Sequence, residues 1–153
     1  MKAWISLLVI YSSFFIWYTD FGGKLTDDEI QYYGNKFESN ALKDGRVLEP
    51  RIKELLQNFM KEDSGKQFIM VNVIDMSENP TFPDGTVSDE SADNLMNEYM
   101  KHMYGEILKR ASHPVFMGSA VNGSMDLVGI ENAEVWETAA LFRYKSRRAF
   151  LEI

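Results

Sequence analysis

An α+β domain is what this sequence predicts, and three observations predict it. Phe68 to Met76 is a short run with apolar side chains on both faces, the pattern of a strand covered on both sides. Leu95, Met96, Tyr99, Met100, Met103, Tyr104, Ile107 and Leu108 recur as one helical stripe, broad enough to pack on a sheet. Two further strand runs, Pro114 to Val121 and Trp136 to Tyr144, follow that helix, and Ser146 is placed to cap a helix starting at Arg147. The order is a split β-α-β arrangement with an antiparallel sheet whose last strand is missing. The chain then reads as C-terminally incomplete, or the third strand leaves an edge for something else to cover.

Composition narrows the function classes. At 153 residues, with 45% hydrophobic and 13% aromatic content, the chain is globular rather than disordered. A net charge of -7 argues against nucleic acid as a partner. Seven carboxylates and no Lys or Arg lie between Asp75 and Glu98, the signature of a solvated loop and helix start. With no cysteine, disulfides, thiolate metal sites and cysteine nucleophiles are excluded. Only His102 and His113 are present, without a ligand spacing, so no metal site is expected.

The first segment, 1–21, reads as a membrane anchor or signal segment. Ala3 to Tyr18 carries no charge, and as a helix it covers roughly 24 Å of a hydrocarbon core about 30 Å thick. Trp4, Trp17 and Tyr18 suit the two interfaces. The alternatives are a cleaved signal peptide, leaving a secreted product, and a buried core helix. Tyr11, Trp17, Asp20 and Phe21 spoil the candidate cleavage sites, so an uncleaved anchor through residues 3–18 is preferred. Lys2 on the cytoplasmic side places the domain on the periplasmic or extracytoplasmic side.

Residues 22–65 read as a helical stalk or lid. Thr26, Asp27, Asp28 and Glu29 form a capping box for a helix to about Ser39, and Asp44-Gly45 marks a turn. Pro50 opens a second helix with the stripe Ile52, Leu55, Leu56, Phe59 and Met60, ended by Asp63-Ser64-Gly65. Residues 66–153 form the α+β domain. After its first strand comes a loop with a Pro83-Asp84-Gly85 turn, then a helix from Ser91 to about Ala111. Asn122-Gly123 reads as a hairpin turn, and Met125 to Ile130 as a short extension. Helices of this chain can cover one face of Phe68–Met76. The other face requires more chain or a partner subunit, so a homodimer is expected.

Several residues carry a resemblance. Met70-Val71-Asn72, Arg110-Ala111-Ser112-His113-Pro114, Trp136, the run from Phe142 to Arg148, and Leu25 to Ile30 are its matching features. On them the chain resembles the dimeric α+β-barrel superfamily of ferredoxin-like domains, and within it an uncharacterised bacterial membrane-anchored or exported group. The group's motif reads Arg143-Tyr144-Lys145-Ser146-Arg147-Arg148 here, with Ala149 where an acid is expected next. The resemblance implies sheets paired face to face and a missing fourth strand. The superfamily includes monooxygenases, isomerases and haem enzymes.

The residues themselves nominate a site. Ser146, Arg147 and Arg148 stand where a strand hands over to a helix, an arrangement that stabilises a carboxylate or phosphate. The commoner role of such arginines is to pair with acids of this chain or of a partner. Arg143 lies mid-strand on the face of Leu141 and Ala139, where a buried guanidinium must be paired or line a polar cavity. Asn72 interrupts an apolar face, to orient a ligand or to bond neighbouring backbone. His113, held extended by Pro114, is a candidate base or haem ligand, with Tyr99 as a second catalytic candidate, or a structural strand-end histidine. The leading expectation is a membrane-tethered homodimer that binds a small anionic molecule and needs no cofactor. A cofactor-free or haem-dependent oxidoreductase and a non-catalytic interaction module are the alternatives.

Overall fold

The computed structural model describes residues 2–82, 84–120 and 136–153. Eight elements run in order: α1 (Lys2–Tyr18), α2 (Asp27–Lys43), α3 (Pro50–Lys61), β1 (Phe68–Ile74), α4 (Ala92–Lys109), β2 (His113–Ser119), β3 (Thr138–Tyr144) and α5 (Arg147–Leu151). They divide into two units, Met1–Phe68 with Tyr144–Ile153, and Ile69–Arg143. The last ten residues therefore group with the helices expected to form a stalk, and the strands β1 and β3 each carry one end residue in that unit.

In the helical unit the local signals act as their chemistry dictates. Thr26 accepts from the Glu29 N–H while the Glu29 carboxylate accepts from the Thr26 N–H at 2.8 Å, closing the capping box. α2 runs on to Lys43 rather than stopping near Ser39, because its buried stripe continues through Ala41 to the Asp44-Gly45 stop. Gly45 there takes φ 69°, and Gly45 and Arg46 donate to Leu42 and Ala41, closing the last turn. Leu25, Tyr33, Met60 and Leu151 form the core, with Ile30, Phe37, Phe59 and Phe150 packed on it. Phe68, Tyr144, Phe59 and Phe150 stack and edge into one another, with centroids 5.0–6.0 Å apart. The α3 stripe is narrower than its sequence suggests, since Ile52 and Leu55 are exposed.

α1 buries none of its residues. Its 17 residues cover about 26 Å at ~1.5 Å each. Among the described residues no helix is long and apolar enough to cross a membrane, so the expectation of a spanning helix finds no support there.

The second unit is a three-stranded antiparallel sheet with α4. The strand order is β1-β3-β2, so β3 occupies the middle and β1 and β2 are the edges. β3 is thus not the open edge its place in the sequence implied. It returns from β2 and inserts between the two strands joined by α4, and accordingly buries Ala140, Phe142 and Arg143. β2 pairs with β3 antiparallel, with a register shift between Pro114 and Phe116. Pro114 has no N–H for the ladder, which edge strands and bulges tolerate. β1 ends at Ile74 rather than Met76, and β3 begins at Thr138 rather than Trp136. Glu137 still donates to the Ile74 carbonyl, so pairing reaches just past the strand. α4 buries Ile107 and half-buries Met100, Met103 and Tyr104, while Tyr99 and Leu108 stay exposed. Asn122-Gly123, the Met125–Ile130 extension and Val121 lie outside the described residues, as does Pro83.

Candidate functional site

α4 ends in a turn that organises the neighbouring chemistry. Ser112 donates to the Ile107 carbonyl and Ala111 to that of Leu108, with Ala111 at φ 51°. A residue with a Cβ in this left-handed conformation costs about 1 kcal/mol, and glycine is the usual occupant. The Ala111 carbonyl then accepts from Arg143 Nη1 at 2.6 Å. Arg143 is only 6% exposed, so its charge leaves water for this contact and is held there. The Arg110-Ala111-Ser112-His113-Pro114 stretch is therefore the joint between α4 and β2, fastened from β3. His113 sits directly across the strands from Arg143, half-buried, its Nδ1 3.0 Å from the Pro114 carbonyl oxygen.

The two faces of this sheet differ. On one, Met117 meets α4, its sulfur accepting from the Tyr104 hydroxyl at 3.8 Å. A half-open groove of about 640 Å³ lies there, with Met96, Met100, Tyr104 and Met117 among its walls. Asn72 is half-buried on β1 and donates to the Ala140 carbonyl at 3.2 Å, a bond to neighbouring backbone. On the other face, Phe116 pairs with Leu141 and Gly118 with Ala139. The Phe116 ring lies over Gly118, where an added Cβ would come within 2.9 Å of it. β1 alternates strictly, its residues Ile69, Val71 and Val73 outward and exposed at 52%, 63% and 46%. With Phe116 at 54%, these side chains make an apolar sheet face left uncovered by α4. The expectation that helices of this chain cover one face of the first strand is met only by half-burial of Phe68, Met70 and Ile74.

Tyr99 is 55% exposed on α4. Ser146, Arg147 and Arg148 belong to the helical unit. There the buried Ser146 hydroxyl accepts from the Ala149 N–H at 3.1 Å as the cap of α5. Arg147 donates to the Phe59 carbonyl, lies over the Phe59 ring at 4.7 Å, and approaches Asp63 at 3.9 Å. Arg148 forks onto Glu29 at 2.7 and 3.1 Å, with Asp20 at 3.8 Å. That fork, followed by the Thr26 backbone N–H, holds the Glu29 carboxyl down at about 2. The guanidinium of Arg148 is raised in turn, chiefly by the same carboxylate. Sequence reasoning took Asp63 only as a helix end. It is 5% exposed and accepts from Leu25 N at 2.8 Å, a tertiary contact that no local signal announces. Among the described residues no group of three acids or histidines is placed to hold a metal ion.

No family model matches the chain, and no curated protein matches it. Two solved structures are similar. The crystal structure of the methylated RPA0582 protein aligns at a TM-score of 0.54 and 20% identity, over 65% of this chain and 70% of that one. That of RPA0582 from Rhodopseudomonas palustris, a protein of unknown function, aligns at 0.52 and 20%, over 65% and 71%. The chain shares a mixed α+β fold with them.

Proposed function

We propose that this protein is a membrane-attached homodimer that pairs through its uncovered sheet face and holds a small anionic molecule in the space so enclosed. The observation that carries the reading is the exposed set Ile69, Val71, Val73 and Phe116. Contiguous apolar surface on a sheet seldom stays in water, and a second copy of the same face is complementary by symmetry. His113 and Arg143, cross-strand neighbours at one end of β2 and β3, give the enclosed space a polar end where a carboxylate would be favoured. Attachment rests on α1, apolar around its circumference and with no buried residue, with aromatic rings near its ends. Lipid suits such a helix.

The test is sedimentation equilibrium in density-matched detergent. The wild type should sediment as a dimer and Val71→Asp as a monomer. Because Val71 is 63% exposed, the substitution should shift monomer stability by no more than about 0.5 kcal/mol. A monomeric wild type at micromolar concentration, or a dimer that tolerates the aspartate, would reject the pairing. Small carboxylates should then raise the melting temperature of the dimer but not of Val71→Asp.

A further inference from the structure

The segment between α1 and α2 has the composition of a loose tether: Asp20, Phe21, Gly22, Gly23, Lys24. Its contacts are those of a fastened one. Arg148 of α5 reaches the Gly23 and Lys24 carbonyls at 3.4 and 3.3 Å and the Asp20 carboxylate at 3.8 Å. Its fork on Glu29 anchors the same guanidinium to the first turn of α2. From the end of α3, Asp63 accepts the Leu25 N–H at 2.8 Å and the Gly65 N–H at 3.0 Å. The glycines make room for this. An added Cβ on Gly22 would collide with the Arg148 guanidinium, and one on Gly65 would stand 2.6 Å from the Gly23 backbone. Gly65 also holds φ 69°.

We propose that Arg148 and Asp63 form a clasp that locks the 20–25 segment, so that α1 leaves the helical unit in one set direction instead of swinging on a flexible link. Arg148 is the positioning residue. It crosses more than a hundred positions of sequence to join the C-terminal helix to the segment following the apolar helix, so a tilt of α1 is passed directly to α2, α3 and α5. This inference stands whether or not α1 lies in lipid.

Trypsin reads the clasp directly, because the Lys24–Leu25 bond lies inside it and the Lys24 side chain is exposed. Cleavage there requires the backbone to detach locally. In the full chain, held in mild detergent, Lys24 should resist trypsin. In Arg148→Gln, cleavage after Lys24 should accelerate at least about tenfold while Lys36 in α2 and Lys53 in α3 keep their wild-type rates. Gly22→Ala removes no charge yet displaces the guanidinium, and should open the same bond selectively. Unchanged cleavage after Lys24 in both variants would overturn the proposal. So would parallel opening of all three sites, which would show general unfolding in place of a local release.

Discussion

Replacing Glu29 by glutamine isolates the charge of the Arg148 contact. Glutamine keeps a capping-box side chain at this position, so the start of α2 retains its local hydrogen bonding. Glu29 titrates near 2 instead of 4.5, first because Arg148 hydrogen-bonds it and next because the Thr26 N–H does. At ~1.36 kcal/mol per pH unit, that depression corresponds to at most about 3 kcal/mol. The Glu29 side chain is 32% exposed, so screening by solvent reduces the expectation to about 1–2 kcal/mol. For a chain of this length that is a fall in melting temperature of roughly 2–8 °C at neutral pH. The sign of the pH dependence follows from a carboxyl depressed in the folded state. Its stabilisation is complete above 4.5 and is lost as pH falls toward about 2, whereas the glutamine variant lacks it throughout. Thermal melts followed by circular dichroism should therefore show two curves separated at neutrality and converging across that acidic window. A gap that persists unchanged to the acid end would refute the electrostatic account, and equal melting temperatures at neutrality would remove it.

Two further outcomes follow from burial. Met60 is 1% exposed in the core of the helical unit, so Met60→Ala should cost about 2–5 kcal/mol in chemical denaturation; a loss below about 1 kcal/mol would mean that the core is not packed as described. Removing residues 1–21 should move the protein from the membrane pellet to the soluble fraction, and continued sedimentation with membranes would count against α1 as the attachment.

Much of the fold is legible in the sequence because it is written in local chemistry. The capping box at Thr26, the cap at Ser146, Pro50 at the start of α3 and the Asp44-Gly45 stop each act within one helical turn, and each element appears where its signal stands. The both-sided apolar pattern of β1 is legible too, and the structure leaves Ile69, Val71 and Val73 on one of those faces exposed. The limits of this legibility lie in the ends and the neighbours. Nothing local distinguishes Met76 from Ile74 as the end of β1, since the end is set by where β3 ceases to offer partners.

The arginines show the same division more sharply. Their residue type and crowding mark Arg143, Arg147 and Arg148 as groups that must be paired, but not with what. Arg143 meets a carbonyl in a left-handed turn, Arg147 an aromatic ring and Asp63, and Arg148 a capping carboxylate. The sequence by itself determined the helices, the strands and their order, because caps, turns and periodicity act over a few residues. Tertiary structure alone decided that β3 lies between β1 and β2, that α5 belongs with the N-terminal helices, and that Glu29 faces Arg148. Those outcomes depend on which surfaces meet across long stretches of chain, where burial and charge pairing act without regard to sequence distance.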